Sequence, residues 1–414
     1  MVRADSLKAG LLGPGSGLDP YPAYARLRRE EPVRRIRLRE GLWCWLISRY
    51  DDARAALADP RLSRDPRAAA AAWRETDRGR PLEDGSHLGV HLLTREPPQH
   101  TRLRRLVSAA FTPRRVEGLR GPVQQLADTL IDGFQARGRA ELIADFAYPF
   151  AISVICDVLG IPAGDRAWFR QWTANAVPPG GRQRAGGYPV TAPVPVPGDY
   201  LRALMAAKWR RPGSDLISTL ITAAARDLLS ETELLSMVFL LLLAGHEGTV
   251  GLIGNGVVSL LASPCQLQVL RDHPALMEAA VEEILRYDGP MELAAWRFAT
   301  EPVTIADTTI AAGEPVLIAL AAAHRDPAQF PGPDRFDITR AAGVHLGFGH
   351  GTHYCLGATL ARLEGSIALG TLMRRLPGLA LATPAGQLPR QPSLVLRSLR
   401  ELPVTFAAVP APSG

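Results

Sequence analysis

The chain has 414 residues, of which 47% are hydrophobic and 21% charged, and its formal net charge is +6 at pH 7. The hydrophobic content is sufficient for a large core, and no block of consecutive basic residues indicates nucleic-acid binding. The four cysteines, Cys44, Cys156, Cys265 and Cys355, are widely scattered, which argues against a disulfide framework and favours a reducing cytoplasm. Residues 1–19 lack the long apolar run of a signal peptide or anchor, so we expect a soluble protein.

The first hundred residues predict a mixture of short helices and strands. A turn at residues 19–22 leads into a short amphipathic helix that carries Leu27. Residues 43–47 are predicted to form a strand, and residues 51–58 the helix that follows it. Residues 67–98 show no regular pattern.

From there to about residue 300 the periodicity is helical, with one interruption. Residues 178–199 contain several Gly and Pro residues and little periodicity, which predicts a long loop. Alternation over residues 303–318 and 394–404 predicts short strands. We therefore predict a mainly α fold with a small β region, in a single domain over residues 1–414 whose first 18 residues form a loosely ordered tail.

The apolar stretch at residues 234–244 predicts a helix that is buried in the core. It follows Ser230-x-x-Glu233, a capping-box pattern that starts a helix, and it is apolar on almost every side. The stretch is too short to span a bilayer. Glu247 lies just beyond it, and a carboxylate in such a setting needs a partner or a task.

The most informative segment runs from Phe348 to Gly357 and contains Cys355. Gly349 and Gly351 allow the backbone to turn tightly beneath the sulfur. Apolar residues at positions 356, 360, 363 and 367 follow at helical spacing, so the cysteine lies just before or at a helix N-terminus, where N–H groups favour a negative sulfur. A haem iron held by a cysteine thiolate is the chemistry that such a site serves.

Two simpler interpretations compete with a haem site. A lone intracellular cysteine is usually a small buried hydrophobe. His350, His353 and Cys355 could also indicate zinc, but zinc ligands usually come in paired short spacings and the sequence contains no C-x-x-C. The pair His87 and His91 lies far away, without a cysteine or acidic partner at zinc-site spacing.

The pattern Phe-Gly-x-Gly-x-His-x-Cys-x-Gly over residues 348–357 resembles the haem-ligand segment of the cytochrome P450 family. The resemblance extends from about residue 19 to residue 406, with the motifs in the family's order. It implies the cytochrome P450 fold, with haem b buried between a central helix and the cysteine loop. It also implies that Cys355 is the axial ligand of the haem iron.

Residues 244–249, Ala-Gly-His-Glu-Gly-Thr, resemble the family's central helix, in which an acid followed by a threonine relays protons to oxygen. Glu247 and Thr249 are therefore the candidate catalytic residues. The usual threonine position is occupied by Gly248, and Thr249 comes one residue later, about 100° further around a helix. Either ordered water or a substrate hydroxyl completes the relay, or the reaction needs less proton delivery.

By the same resemblance, four cationic side chains bind the haem propionates. His100 and Arg104 lie four residues apart on one helical face, and Arg297 and His353 match two further contacts. Cationic donors suit carboxylates, and arginine can bind them in bidentate fashion.

Glu283-x-x-Arg286 resembles the family's structural Glu-x-x-Arg helix, which Pro274 would open here. In the family this helix locks to an arginine in a segment such as residues 331–336, so Arg335 is the expected partner. We interpret the three residues as supports of the core around the haem loop, not as catalytic residues.

The resemblance implies a cytochrome P450 monooxygenase that uses O2. No flavin or iron–sulfur domain is evident, so electrons are expected from a ferredoxin and an NAD(P)H-dependent ferredoxin reductase. Candidates for the ferredoxin-docking face are Arg102, Arg105, Arg114 and Arg115, although a solvated basic face explains the first two as well. A cytoplasmic monomer without a membrane or nucleic-acid partner is expected.

The overall resemblance is to actinobacterial enzymes that tailor secondary metabolites, so the expected reaction is hydroxylation or epoxidation of an apolar polyketide or macrolide. The predicted pocket walls are largely apolar and comprise residues 85–93, residues 178–199, Leu243, Ala244, Leu293, Ala294, Leu394 and Val395. Gly248 keeps open a second reaction, the oxidative coupling of aromatic or peptide substrates. A non-catalytic haem sensor is the remaining alternative.

Overall fold

The structure, a computed structural model, describes residues 19–38, 41–75, 88–166, 197–341, 343–391 and 393–409. In these ranges helix predominates and the strands are short, which confirms the predicted fold class. The predicted tail, residues 1–18, and residues 178–196 of the predicted loop lie outside the described residues.

The helices differ widely in length, and one of them is much longer than the rest. They are α1 (Tyr21–Glu30), α2 (Tyr50–Ala58), α3 (Ala71–Arg74), α4 (Gln99–Ser108), α5 (Pro113–Glu117), α6 (Arg120–Asp132), α7 (Tyr148–Leu159), α8 (Pro197–Arg210), α9 (Leu216–Ala224), α10 (Glu231–Leu261), α11 (Pro264–Asp272), α12 (Met277–Tyr287), α13 (Leu320–Ala323) and α14 (Ala358–Arg375).

Within the described residues, the strands form three sheets. They are β1 (Val33–Arg37), β2 (Trp43–Ile47), β3 (Leu62–Ser63), β4 (Arg139–Glu141), β5 (Arg297–Ala299), β6 (Val303–Ile305), β7 (Thr308–Ile310), β8 (Pro315–Ile318), β9 (Ala380–Leu381) and β10 (Pro403–Thr405). The largest sheet has the order β1-β2-β8-β5-β3, and β2 and β8 are its parallel pair. The others are β4-β10-β9 and the hairpin β6-β7.

Helix α10 is the central element, and its sequence explains both its start and its burial. The predicted capping box is present, because the Ser230 hydroxyl accepts from the Glu233 amide at 3.2 Å and the Glu233 carboxylate accepts from the Ser230 amide at 2.9 Å. The helix has 31 residues and is long and apolar enough to cross a membrane by composition alone. However, 78% of its apolar window is buried inside the protein, so it is a core helix as predicted.

Glycines allow neighbouring helices to approach α10 closely. A Cβ atom at Gly245 would lie 2.5 Å from the Ile155 side chain of α7, and one at Gly256 would lie 2.9 Å from Leu369 of α14. Both distances are shorter than a carbon–carbon contact permits. Helix α10 is therefore held between α7 and α14, and α14 is the helix that follows Cys355.

Most predicted helices and strands are confirmed, but two predicted segments are wrong. One of these differs in its boundary and the other in its structure. Strand β2 has the predicted bounds, and α2 begins one residue earlier than predicted. Helix α8 already begins at Pro197, so the predicted loop is too long at its end. Of residues 394–404 only the last two belong to a strand, because the preceding backbone bonds to a loop instead, as when the Arg397 amide donates to the Pro290 carbonyl at 2.8 Å.

The buried ion pair of Glu283 and Arg286 is present, but Arg335 is not its third charged partner. Glu283 accepts from both Nε and Nη2 of Arg286, at 2.7 and 2.8 Å. The Arg335 side chain is 75% exposed and pairs with Asp337, and only its carbonyl accepts from Arg286. The second cation on Glu283 is Arg340, at 3.2 Å. The partner arginine therefore lies five residues later than predicted. The segment contains two arginines, and only the side chain of Arg340 is directed inward.

The exchange of roles between these two arginines is directly testable. Arg340→Ala removes one of two cations from a buried carboxylate and should lower the free energy of unfolding by about 1–3 kcal/mol. The matched control Arg335→Ala removes an exposed side chain and should change it by less than about 0.5 kcal/mol. Urea unfolding of both variants measures the difference. Equal effects would show that Arg340 is not the partner.

Candidate active site

The loop that carries Cys355 is a tight turn whose geometry requires glycine. Gly349 and Gly351 have φ angles of +75° and +73°, which side chains with a Cβ atom rarely adopt. A Cβ atom at Gly351 would also lie 2.9 Å from Cα of Ala58, the last residue of α2. The turn closes when the Cys355 amide donates to the Phe348 carbonyl at 2.8 Å. As predicted, the cysteine lies just before the helix that starts at Ala358.

The environment of the Cys355 sulfur is mostly protein, although the residue is accessible. Burial raises the pKa of its thiol, while the Gly357 amide, which donates to the sulfur, and the charges of Arg104 and Arg362 act in the opposite direction. Because Cys355 is accessible and yet strongly desolvated, it lies in a recess of the protein surface. The sulfur is therefore available to one ligand and surrounded by groups that favour its thiolate form.

A basic cluster formed by His100, His353, Arg297 and Arg104 lies beside this loop, and the side chains of all but the half-buried Arg104 are buried. The rings of His100 and His353 are 4.6 Å apart. Arg104, one helical turn after His100 on α4, donates to the carbonyl of Thr352 at 3.5 Å. Helix α4 and the cysteine loop thus bring three of the four predicted propionate ligands together.

The fourth residue of the basic cluster, Arg297, is oriented by the end of α2 and by the sheet. Its two Nη atoms donate to the carbonyls of Leu62 and Leu57, at 3.0 and 2.9 Å. Burial, followed by the nearby charge of Arg64, lowers its pKa to about 9. Leu57 also lies against Gly351, because its carbonyl is 3.1 Å from the position of a Cβ atom there.

Glu96 links the basic cluster to the sheet, a role that sequence patterns do not indicate. It accepts from the Arg64 amide at 2.6 Å and lies 3.0 Å from Nε2 of His353. Burial opposes its ionisation, but these hydrogen bonds prevail and hold the pKa of Glu96 below its usual value. Only the fold brings residue 96 to residue 353, and no local spacing indicates such a pair.

The basic cluster has buried nitrogens without hydrogen-bond partners in the described part of the chain, and they fit an anionic group with two carboxylates. Among the described residues, Nε2 of His100, Nε of Arg297 and Nδ1 of His353 are buried and lack a hydrogen-bond partner. Burial lowers the pKa of His353 to about 4 and also lowers that of His100. Buried nitrogens without partners are costly. Haem b, which carries two propionates and an iron that can take the Cys355 sulfur, matches this set of groups.

Part of the surface of α10 is accessible although the helix runs through the core. Ala244 is exposed, and Gly245, Glu247 and Gly248 are half-buried, whereas most of their neighbours are buried. A Cβ atom at Gly248 would have nothing within 4 Å among the described residues. Burial raises the pKa of Glu247 to about 7. The accessible stretch of the central helix therefore carries a carboxyl group that is partly protonated at neutral pH.

The Thr249 hydroxyl is directed to a different helix. It donates to Oε2 of Glu364 on α14 at 2.6 Å, and both residues are buried. Burial raises the pKa of Glu364 to about 8, and among the described residues its Oε1 has no hydrogen-bond partner. Sequence reasoning missed Glu364, although a carboxylate between Leu363 and Ile367 on an apolar stripe could have identified it.

The predicted pocket walls are only partly accessible. Ala244 is exposed, and Leu394 and Val395 are half-buried. Leu243 and Leu293 are packed in the core at 2% and 0% exposure, so they do not line open space. Residues 85–87 and most of residues 178–199 lie outside the described residues.

Comparison with known proteins agrees with this geometry. The family model described as "Cytochrome P450" matches residues 262–377. The chain is 46% identical over 405 residues to "Cytochrome P450 monooxygenase PikC" of Streptomyces venezuelae. This match covers 97% of this chain and 94% of that protein. It is 40% identical to "Mycinamicin IV hydroxylase/epoxidase" of Micromonospora griseorubida, with 94% and 96% covered. The solved structure of the tirandamycin C-bound P450 monooxygenase TamI has a TM-score of 0.86 and 40% identity, and covers 94% of this chain and 97% of that chain.

The raised pKa of Glu364 predicts a pH dependence of stability. A carboxyl group that titrates near 4.5 when unfolded and near 8 when folded binds more protons in the native state between these values. Stability is therefore lost as pH rises through this window, by at most about 1.4 kcal/mol per pH unit. Glu364→Gln should flatten the decline in unfolding free energy between about pH 5 and pH 8, measured by urea unfolding.

The matched control for this titration is Glu401→Gln. Glu401 is exposed and 3.9 Å from Arg400, so its removal should leave the wild-type slope unchanged. A Glu364→Gln variant with the same slope as wild type would contradict the assignment of the titration to Glu364.

Proposed function

The chain belongs to the cytochrome P450 family, and from this premise we propose that it hydroxylates or epoxidises an apolar secondary metabolite such as a polyketide or macrolide. It is a monooxygenase with haem b as its cofactor, and it uses O2 and external redox partners. The observation that carries the proposal is the accessible Cys355 in its glycine turn beside a basic cluster with buried, unpaired nitrogens among the described residues. Haem b supplies the oxygen activation for which amino-acid side chains have no equivalent.

The proposed roles at the cofactor follow from the donors that each residue offers. Cys355 would hold the iron through its sulfur, and the Gly357 amide would reduce the negative charge on that sulfur. The basic cluster holds the propionates, with Arg297 fixed by two backbone carbonyls and His353 fixed by Glu96. A carboxylate at Nδ1 of His353 favours the doubly protonated ring, in which this nitrogen donates.

Proton delivery is proposed to start at Glu247. Its carboxyl group, with a pKa of about 7, both holds and releases a proton near neutral pH. Thr249, whose hydroxyl is bound to Glu364, contributes from the other side as a link to a second protonated carboxyl group. No side-chain hydroxyl is present at position 248, so water or a hydroxyl of the substrate completes the path from Glu247.

The proposed electron donor is a ferredoxin that an NAD(P)H-dependent reductase supplies. Arg105, Arg114 and Arg115 are exposed and can contribute to a positive docking face. Arg102 contributes less to that face in this proposal, because its guanidinium is bound to the Glu233 carboxylate and to the Leu228 carbonyl. A single domain, acting as a cytoplasmic monomer, completes this proposal.

The substrate class rests on the similar proteins and on the accessible residues. One relative is named for hydroxylation and epoxidation of mycinamicin IV, and the TamI structure contains tirandamycin C. The accessible positions at Ala244, Gly248, Leu394 and Val395 are apolar or lack a side chain. An apolar substrate fits such walls.

A second candidate reaction is the oxidative coupling of aromatic or peptide substrates. The observation in its favour is Gly248, which has no hydroxyl and no atom of the described residues within 4 Å of where a Cβ atom would lie. A radical coupling depends less on a hydroxyl relay than oxygen insertion does.

The absorption spectrum of the purified protein tests the proposed function first. Reduced protein exposed to carbon monoxide should show the strongly red-shifted Soret band of thiolate-ligated haem, and Cys355→Ser should lose this band. Candidate polyketides and macrolides should shift the spin state of the oxidised wild-type protein. A band typical of histidine-ligated haem would show that Cys355 is not the ligand, and protein without haem would overturn the assignment.

Two substitutions at residue 248 separate the two candidate reactions. Gly248→Thr adds a hydroxyl, and Gly248→Val adds the same volume without it. If hydroxylation is limited by the missing relay, Gly248→Thr should yield several-fold more hydroxylated product per NAD(P)H on simple apolar substrates, whereas Gly248→Val should not. No gain in Gly248→Thr would favour the coupling reaction.

A further inference from the structure

Arg362 on α14 is the centre of a polar cluster on the outer side of the cysteine loop. Its guanidinium lies 4.5 Å from the centre of the Phe348 ring and donates to the hydroxyl of Tyr354 at 3.4 Å. It also binds Glu282 of α12 in bidentate fashion, with Nε and Nη2 at 2.7 and 2.9 Å from the two carboxylate oxygens. This geometry fixes the plane and position of the guanidinium.

The two loop residues that Arg362 contacts are the immediate neighbours of Cys355. Tyr354 precedes it in the chain, and the carbonyl of Phe348 accepts from its amide. One planar cation therefore contacts both ends of the turn that presents the sulfur. Lysine cannot replace it, because an ammonium group has neither a plane to stack on Phe348 nor a bidentate match to Glu282.

His345 fixes Glu282 from the other side. The Gly347 amide donates to Nδ1 of His345 at 3.0 Å, so in the neutral ring the proton lies on Nε2. This nitrogen is 3.1 Å from Oε2 of Glu282 and donates to it. The ring of His345 also lies 5.9 Å from the ring of Phe348. The chain of contacts runs from the loop through His345 and Glu282 to Arg362 and back to the loop.

The charge of Arg362 acts on the sulfur, and Glu282 opposes it. Arg362 and Arg104 are the two cations that favour the thiolate form of Cys355. Arg362 contacts the loop residues Phe348 and Tyr354 directly, whereas Glu282 is linked to the loop through Arg362 and His345. The sulfur therefore experiences a positive charge that its counter-ion only partly cancels.

We propose that Arg362, oriented by Glu282 and His345, is a positioning residue that holds the cysteine loop and sets the reduction potential of the haem through its charge. The inference rests on Cys355 as the haem ligand. Reduction adds one electron next to the thiolate, so a nearby cation stabilises the reduced form and a nearby anion destabilises it. Arg362 and Glu282 therefore have opposite effects on the same equilibrium.

Four variants test this proposal by spectroelectrochemical titration of the haem-loaded protein. Arg362→Gln should lower the potential, and Glu282→Gln should raise it by a smaller amount. The expected change in the reduction equilibrium constant is up to about tenfold, which equals about 59 mV for one electron. The reduction potential of the double variant should lie between those of the two single variants. Arg362→Lys keeps the charge and should retain most of the potential, while its weaker hold on the loop lowers the stability of the thiolate form with carbon monoxide.

The exposed pair of Arg120 and Glu117 supplies matched controls. It has the same chemistry, with Nε of Arg120 at 2.5 Å from the carboxylate, but lies on the surface. Arg120→Gln and Glu117→Gln carry the same changes in net charge and should leave the potential unchanged. Shifts of Arg362→Gln and Glu282→Gln in the same direction would show that the pair acts only by supporting the loop, and unchanged potentials would overturn the proposal.

The haem-ligand assignment fails separately from this inference. Wild-type protein without the thiolate spectrum contradicts the assignment of Cys355, whatever the variants show. A normal wild-type spectrum combined with unchanged potentials in the variants contradicts only the role of Arg362.

Discussion

The structure depends on one requirement, which is that a single thiol remains accessible inside the protein while its surroundings favour its negative charge. Desolvation alone disfavours the thiolate of Cys355, so the fold must supply compensating groups on several sides. The Gly357 amide lies at the start of α14, Arg104 comes from α4 and Arg362 from α14 itself. Because these groups belong to different parts of the chain, the chemistry of the cysteine exists only in the folded protein.

The glycine turn also restricts the positions of the elements that pack around it. Gly351 packs against the last turn of α2, and the Leu57 carbonyl at that end of α2 also accepts from Arg297. The position of the cysteine loop and the position of a proposed propionate ligand are thereby set by one helix terminus. The buried pair Glu283 and Arg286 lies on α12, which also carries Glu282. One helix thus stabilises the core and orients the cation at the loop.

The sequence predicts the parts of this site that depend on local spacing. The glycine turn, the following helix, the capping box of α10 and the spacing of His100 and Arg104 are all short-range features, and the structure has them in place. The sequence could not choose between Arg335 and Arg340, because both lie in the same irregular segment and only packing decides which side chain points inward. Glu96 was missed for the same reason, since its partner is 257 residues away. Glu364 has a local signal in its place beside an apolar stripe, but its partner Thr249 is 115 residues away and no spacing indicates that pair.

Glu247 and Glu364, two carboxyl groups whose pKa values are raised, indicate how the missing hydroxyl at residue 248 affects selectivity among substrates. Glu247 and Glu364 both hold protons near neutral pH, but the one hydroxyl of this segment, on Thr249, is turned to Glu364 and away from the accessible face. Proton transfer from Glu247 then needs a donor and acceptor in the free space next to Gly248. In the proposed mechanism, a substrate that brings a hydroxyl to this position completes the path, whereas an equally well bound substrate without one leaves it incomplete. The protein would then discriminate between apolar molecules of similar shape by their reaction rates more than by their affinities. The reason is that the substrate hydroxyl takes part only while the proton is transferred.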